Sequence, residues 1–292
     1  MGYSGRYHAA SLAAVFIALA IGILIGIGLA DDVVSSASEE LETSLRSDLS
    51  DAENRADDLQ SQLDREDRFS DQVLTPLLAG RLAGQKVALI EFGDVSDELA
   101  SDARDAVETA GGDLSSIARI ARPPDAEALI DGLPPRFAKL RRDPDQLAAL
   151  GKALGTGIAR NGPIVEALKP ALFESFTGDL QGADRVIVAR SDTAGLESAD
   201  REATSTFEDA VIAGIDDRAL ATVGAELTTT DPSTLAPFID AGIPTVDHLD
   251  LPAGKVSLVY ALDGIDGNYG VKDEARSLLP DFGRSSSTSE SP

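Results

Sequence analysis

The chain has 292 residues, 25 basic against 50 acidic side chains, a formal charge of −25 and no cysteine. That charge excludes a nucleic-acid binder, which needs a basic surface against phosphate. The lack of cysteine excludes a disulfide framework, a thiolate metal site and a cysteine nucleophile. The acidity is uneven: residues 1–30 carry +1, residues 31–72 carry −10 and the remainder −16.

Residues 9–30, AASLAAVFIALAIGILIGIGLA, hold no charge, and Ser11 is their single polar side chain. At ~1.5 Å rise per residue a helix of this length covers ~33 Å, enough to cross a hydrocarbon core of ~30 Å. A core helix would show a polar face, and this stretch has none. A cleaved secretory signal would have a shorter apolar run of ~7–15 residues closed by a small-x-small site. Gly28-Leu29-Ala30 offers such a site, while the length favours a retained anchor. Arg6 is the only charge before the span, and Asp31, Asp32, Glu39, Glu40 and Glu42 follow it. This asymmetry predicts a single-pass protein of the cell membrane, with residues 1–8 in the cytoplasm and everything beyond residue 30 outside. Within the span Ala18, Gly22, Gly26 and Ala30 recur every fourth position, a stripe of small residues on which a second helix can pack closely.

Residues 31–75 are acidic and contain neither Gly nor Pro. Leu45, Leu49, Ala52, Ala56, Leu59 and Leu63 follow spacings of 4, 3, 4, 3 and 4, the seam of a left-handed coiled coil. Leu41 lies four before Leu45, a register shift of the stutter kind, and Glu66 and Ser70 take the next seam positions. So narrow a stripe suits a partner helix better than a globular core, and with the small-residue stripe upstream it predicts a parallel homodimer. A stalk of this length would extend ~60 Å as one helix. Pro76 marks its expected end.

Residues 84–283 alternate between apolar β-rich runs and helical patterns. Strands are expected at Lys86–Phe92, Leu114–Ile120, Arg185–Ala189, Leu220–Glu226, Ile243–Val246 and Lys255–Leu262. Helices are expected over Val95–Ala110, where Gly111-Gly112 is the stop, over Ala199–Ile215, and after Asp231-Pro232. An inserted, helical-looking stretch runs from Asp125 to Phe173, broken by Pro134-Pro135, Pro144 and Gly162-Pro163, and a last turn or helix covers Val271–Leu279. The fold class is therefore α/β: a transmembrane helix continuing into a coiled coil, then a three-layer domain with a mostly parallel sheet. Residues 284–292, RSSSTSESP, read as a disordered tail.

No catalytic constellation emerges, and neither an enzyme nor a cofactor is expected. The turn after the first strand, Gly93-Asp94-Val95-Ser96-Asp97-Glu98, puts three carboxylates where a phosphate cradle needs bare N–H groups. Gly151, Gly155 and Gly157 in GKALGTG lie in a helical stretch with no strand before them, so they make no nucleotide fingerprint. Asp247, His248 and Asp250 are weak candidates for a divalent cation, and a loop histidine flanked by turn-forming acids is the plainer reading. Asp263-Gly264-Ile265-Asp266-Gly267-Asn268 lacks the spacing of a calcium loop and reads as a pair of tight turns. Arg136, Lys139, Arg141 and Arg142 form a basic cluster suited to lipid headgroups or an anionic partner, or to a solvated loop.

His8-Ala9-Ala10-Ser11-Leu12-Ala13-Ala14-Val15-Phe16, running into Ala18-Leu19-Ala20-Ile21-Gly22, resembles the start of the MctB family of mycobacterial-type copper transport proteins. Val256–Tyr260 followed by Asp263-Gly264-Ile265-Asp266-Gly267-Asn268-Tyr269-Gly270 resembles that family's C-terminal segment. The resemblance implies an envelope protein linked to copper efflux, sometimes described as an outer-membrane channel. Copper(I) sites use Cys, Met and His, and beyond the span this chain offers only His248. Copper is thus implied by the resemblance alone. Members resembling this chain are also implicated in cell separation. That implies a scaffold or regulator whose partner is a cell-wall hydrolase or division protein.

Overall fold

The computed structural model describes residues 4–122, 133, 144–160, 163–180, 182–216 and 220–282. The basic cluster at 136–142 and the tail at 284–292 lie outside the described residues. The chain divides into two units, Met1–Arg68 and Phe69–Pro292.

The first unit is helical. One helix, α1 (Ser4–Leu78), contains the apolar stretch, and within it Tyr7–Gly26 is long and apolar enough to cross a membrane. With no glycine or proline between Asp31 and Thr75, nothing interrupts the backbone ladder. The expected stop at Pro76 is corrected: α1 runs on to Leu78 with Pro76 inside its last turn. A proline there removes one hydrogen bond of the ladder. Leu78 is fully buried and Leu74 and Leu77 pack against the same core, which offsets the loss.

The second unit is a three-layer α/β domain. Among the described residues its sheet has the strand order β3-β2-β1-β4-β5-β6-β7. The strands are β1 (Lys86–Phe92), β2 (Asp113–Ile120), β3 (Phe173–Gly178), β4 (Arg185–Arg190), β5 (Ala221–Ala225), β6 (Thr245–Val246) and β7 (Asn268–Tyr269). Only β3 is antiparallel to its neighbour. The central strand β1 lies parallel to β2 and β4, with Ile90 beside Ala118 and Val188, and is buried from Val87 to Phe92. Burial on both faces explains the apolar run from Val87 to Ile90.

On one face pack α2 (Asp97–Thr109), α7 (Pro252–Leu262) and the end of α1. On the other pack α3 (Pro144–Arg160), α4 (Pro163–Leu172), α5 (Ser198–Asp216) and the short α6 (Ala236–Asp240). Ser96 caps α2 by accepting the Glu98 N–H, and Asp97 and Glu98 sit at the positive end of its dipole. Arg81 ties the end of α1 to α7: it stacks 3.6 Å above the Tyr260 ring and pairs with Asp263 at 3.0 Å.

Three further expectations are corrected. Lys255–Leu262 is not a strand but most of α7. Every residue from Val256 to Leu262 is buried, so the segment is apolar all round, and a buried helix then carries no period that separates it from a buried strand. Pro252 at its first turn sets the start. The tight turns expected at 263–268 give way after Gly267 to β7, and β3 follows the inserted stretch where no strand was expected.

The glycines of GKALGTG have a packing role. A Cβ on Gly151 would meet the Phe207 carbonyl at 2.5 Å, and one on Gly155 would meet the Ile215 amide at 2.9 Å. Gly214 answers from α5, where a Cβ would lie 3.1 Å from the Gly155 Cα. Helices α3 and α5 thus cross with their backbones nearly touching. Gly155→Leu is expected to force them apart and cost about 3 kcal/mol, read as a lower urea midpoint. Gly195→Ala, at a position with open space around it, should stay within about 0.5 kcal/mol of the parent.

Candidate functional site

In open parallel sheets ligands enter at the carboxyl ends of the strands, where the strand order reverses. Here that point lies between β1 and β4. The turn leaving β1 passes through Gly93, whose φ is +76°. A Cβ at that position would meet Ser191 Oγ at 2.5 Å and Arg122 Cδ at 2.7 Å. The crevice is therefore occupied by the protein's own side chains.

Arg122, just past β2, lies against Glu208 of α5 as a two-pronged ion pair, with Nη2 2.7 Å from Oε2. It also donates to the Ser191 carbonyl at 2.6 Å. Arg190, the last residue of β4, reaches the same Glu208 at 2.8 Å and Asp209 at 3.0 Å. The Glu208 side chain is 1% exposed and both arginine side chains 6%. On the β2 side, Glu91 pairs with Arg119 at 3.0 Å, and Arg119 also binds Asp97. Burial pushes the Glu91 carboxyl above its ordinary value, against the pull of Arg119. On the β5 side, Glu226 accepts from Lys272 Nζ at 2.7 Å and from the Thr234 amide at 2.7 Å. Lys272 also donates to the Leu227 and Thr230 carbonyls.

These three groups are the chemistry that the sequence reading missed. The available signal was a charged residue at the end of an apolar strand, as in Glu91 of KVALIEF and Arg190 of RVIVAR. Their partners come from elements far away in sequence. Each of the named cations is met by a carboxylate, while one oxygen of the buried Glu91 carboxyl, Oε1, has no hydrogen-bond partner among the described residues.

Asp247, His248 and Asp250 are close in space but do not converge as ligands. The Asp247 carboxylate accepts the Val271 amide at 2.8 Å and the Lys272 amide at 3.0 Å. Asp250 accepts both the amide and the hydroxyl of Thr228. His248 is fully buried, its Nδ1 3.5 Å from Asp247, with no hydrogen bond of ordinary geometry at either ring nitrogen. Burial pushes the imidazole below its ordinary value, opposed by Asp247 and Asp250 and by the backbone at Leu278 and Tyr269. Among the described residues no three His, Cys, Asp or Glu side chains gather as a metal group. The Asp247 contacts fix the 263–270 segment against the sheet. Its β7 pairs with β6, and a Cβ on Gly270 would collide with the Asp247 carboxylate.

In α1, Ala18, Gly22 and Gly26 are exposed, and a Cβ on either glycine would meet nothing within 4 Å. Ala30 lies in the same helix, with its side chain outside the described set. The seam leucines are bare: Leu45 is 59% exposed, Leu49 60%, Leu59 61% and Leu63 53%. Ala52 and Ala56 between them are exposed too.

The family model described as "Copper transport outer membrane protein, MctB" matches residues 3–280. The chain is 26% identical, over 306 aligned residues, to the copper transporter MctB of Mycobacterium tuberculosis (strain CDC 1551 / Oshkosh), which covers 94% of this chain and 98% of that protein. The copper transporter MctB of Mycobacterium bovis matches to the same extent.

Two outcomes are expected. Glu208→Ala leaves two buried guanidinium groups short of a partner and should cost about 3–5 kcal/mol, whereas Asp209→Asn at the solvent edge should cost about 1 kcal/mol or less. His248 binds a proton less readily folded than unfolded, so its neutral form supports the fold above the ordinary histidine value and that support falls away as pH drops below about 6.5. The parent should therefore lose more stability than His248→Leu between pH 7.5 and 5.5. The excess slope should be up to ~1.4 kcal/mol per pH unit, read from urea midpoints at each pH.

Proposed function

The chain belongs to the MctB family, and from that premise we propose that it is a membrane-anchored envelope protein acting in copper homeostasis without carrying copper in its α/β unit. The match over residues 3–280 carries this reading. The α1 span would anchor it with the N-terminus in the cytoplasm and the α/β unit outside, as Arg6 and the acids beyond residue 30 favour.

Copper as cargo wants soft or imidazole donors. This chain has no cysteine, Met1 as its one methionine, and His8 and His248 as its two histidines. His248 is buried beside carboxylates already committed to backbone amides. The sheet is covered by helices on both faces, which is not the strand arrangement of a membrane barrel. The role in this reading is indirect, exercised through other envelope components.

A second reading, a scaffold or regulator of a cell-wall hydrolase in cell separation, is favoured by the long helix α1, whose four exposed leucines would pair two copies into a stalk. A deletion strain scored for copper content and for chaining separates the two. The copper reading expects raised cell copper with normal separation, fully restored by a chain carrying His8→Ala and His248→Asn. Chained cells at normal copper would overturn it in favour of the second reading, and failure of the histidine variant to restore copper would overturn the indirect role.

A further inference from the structure

We propose that the seam of α1 is the docking surface for a second copy of this chain, parallel and in register from Leu45 to Leu63. This goes beyond the copper reading and does not depend on it. The observations are geometric. Leu45, Leu49, Leu59 and Leu63 lie on an unbroken helix, each more than half exposed, with Ala52 and Ala56 completing an alternation of three- and four-residue steps. A helix resting on a globular surface needs an apolar stripe at least ~100° wide, whereas two positions in seven repeating every 3.5 residues is the seam that wraps a like helix. The occupant and its direction follow from the same helix. Tyr7–Gly26 is the span, so two copies in one membrane present their seams side by side and pointing the same way. Confinement to the membrane also raises their effective concentration, which a seam of four leucines and two alanines requires.

The flanking charges make the register testable. With Leu49, Ala56 and Leu63 at the first seam position of each heptad, Asp48 of one copy stands opposite Glu53 of the other, a like-charge pair. Arg55 stands opposite Gln60, which is neutral. An offset or antiparallel pair would not bring Asp48 to Glu53.

The chain contains no cysteine, so single cysteines report without background. In native membranes carrying the full chain, Leu45→Cys, Leu49→Cys, Leu59→Cys and Leu63→Cys should each give a disulfide-linked dimer on mild oxidation. Ser47→Cys, Asn54→Cys and Ser61→Cys, on the far side of the helix, should give ~10-fold less. Equal yields from both sets, or no dimer from the seam set, would overturn the proposal; a heterologous partner helix on the seam would give the latter. In the Leu59→Cys background, D48K and E53K should each raise the yield by replacing repulsion with attraction across the seam. The double variant D48K/E53K restores a like-charge pair and should fall back to the parent yield or below. An additive rise in the double variant would overturn the parallel register.

Discussion

Arg122 and Arg190 reach Glu208 from the ends of two strands, β2 and β4, and the crevice where this class of sheet would hold a ligand closes around the three side chains. The constraint is electrostatic. A carboxylate that is 1% exposed, like Glu208, is tolerated only when cations and hydrogen bonds replace its lost hydration. Glu91 with Arg119 and Glu226 with Lys272 repeat the solution at neighbouring strand ends. Lys272 does more than neutralise Glu226. Its ammonium also takes two carbonyls after β5, and its amide with that of Val271 holds Asp247, so the last strand is fastened to the sheet through one short segment. The charges at these strand ends pair with one another and fasten the scaffold.

That arrangement bears on how the family relationship is to be read. The segment from Asp263 to Gly270, whose sequence resembles the MctB family, has a structural place in the fold. It places β7 beside β6 and brings Gly270 against Asp247, where no side chain fits. The other likeness, at the start of α1, lies in and around the span. The family match itself runs over residues 3–280 and so takes in the whole sheet as well as the span.

Most of the architecture was legible wherever burial leaves a local pattern. The apolar stretch of α1 announces itself by composition, and β1 and β4 are apolar runs bounded by polar residues because helices cover both of their faces. Legibility failed where burial erases the pattern. In α7 every residue from Val256 to Leu262 is inside, so periodicity is silent and β-branched content misleads. The charged groups at the strand ends were hidden for another reason. Arg122 and Glu208 are 86 residues apart in sequence, and no local motif encodes a pairing made by the return of α5 to the sheet. The meaning of GKALGTG in the fold is a close crossing of α3 with α5, visible only once both helices are placed.

The central claim is that the carboxyl edge of the sheet is a closed structural element rather than a copper site. Hydrogen exchange on the full chain in lipid nanodiscs, with and without copper(I), tests it most directly. The account predicts unchanged exchange on adding copper in the peptides covering residues 91–94, 190–192, 226–228 and 247–250. Copper-dependent protection confined to those strand ends would contradict it.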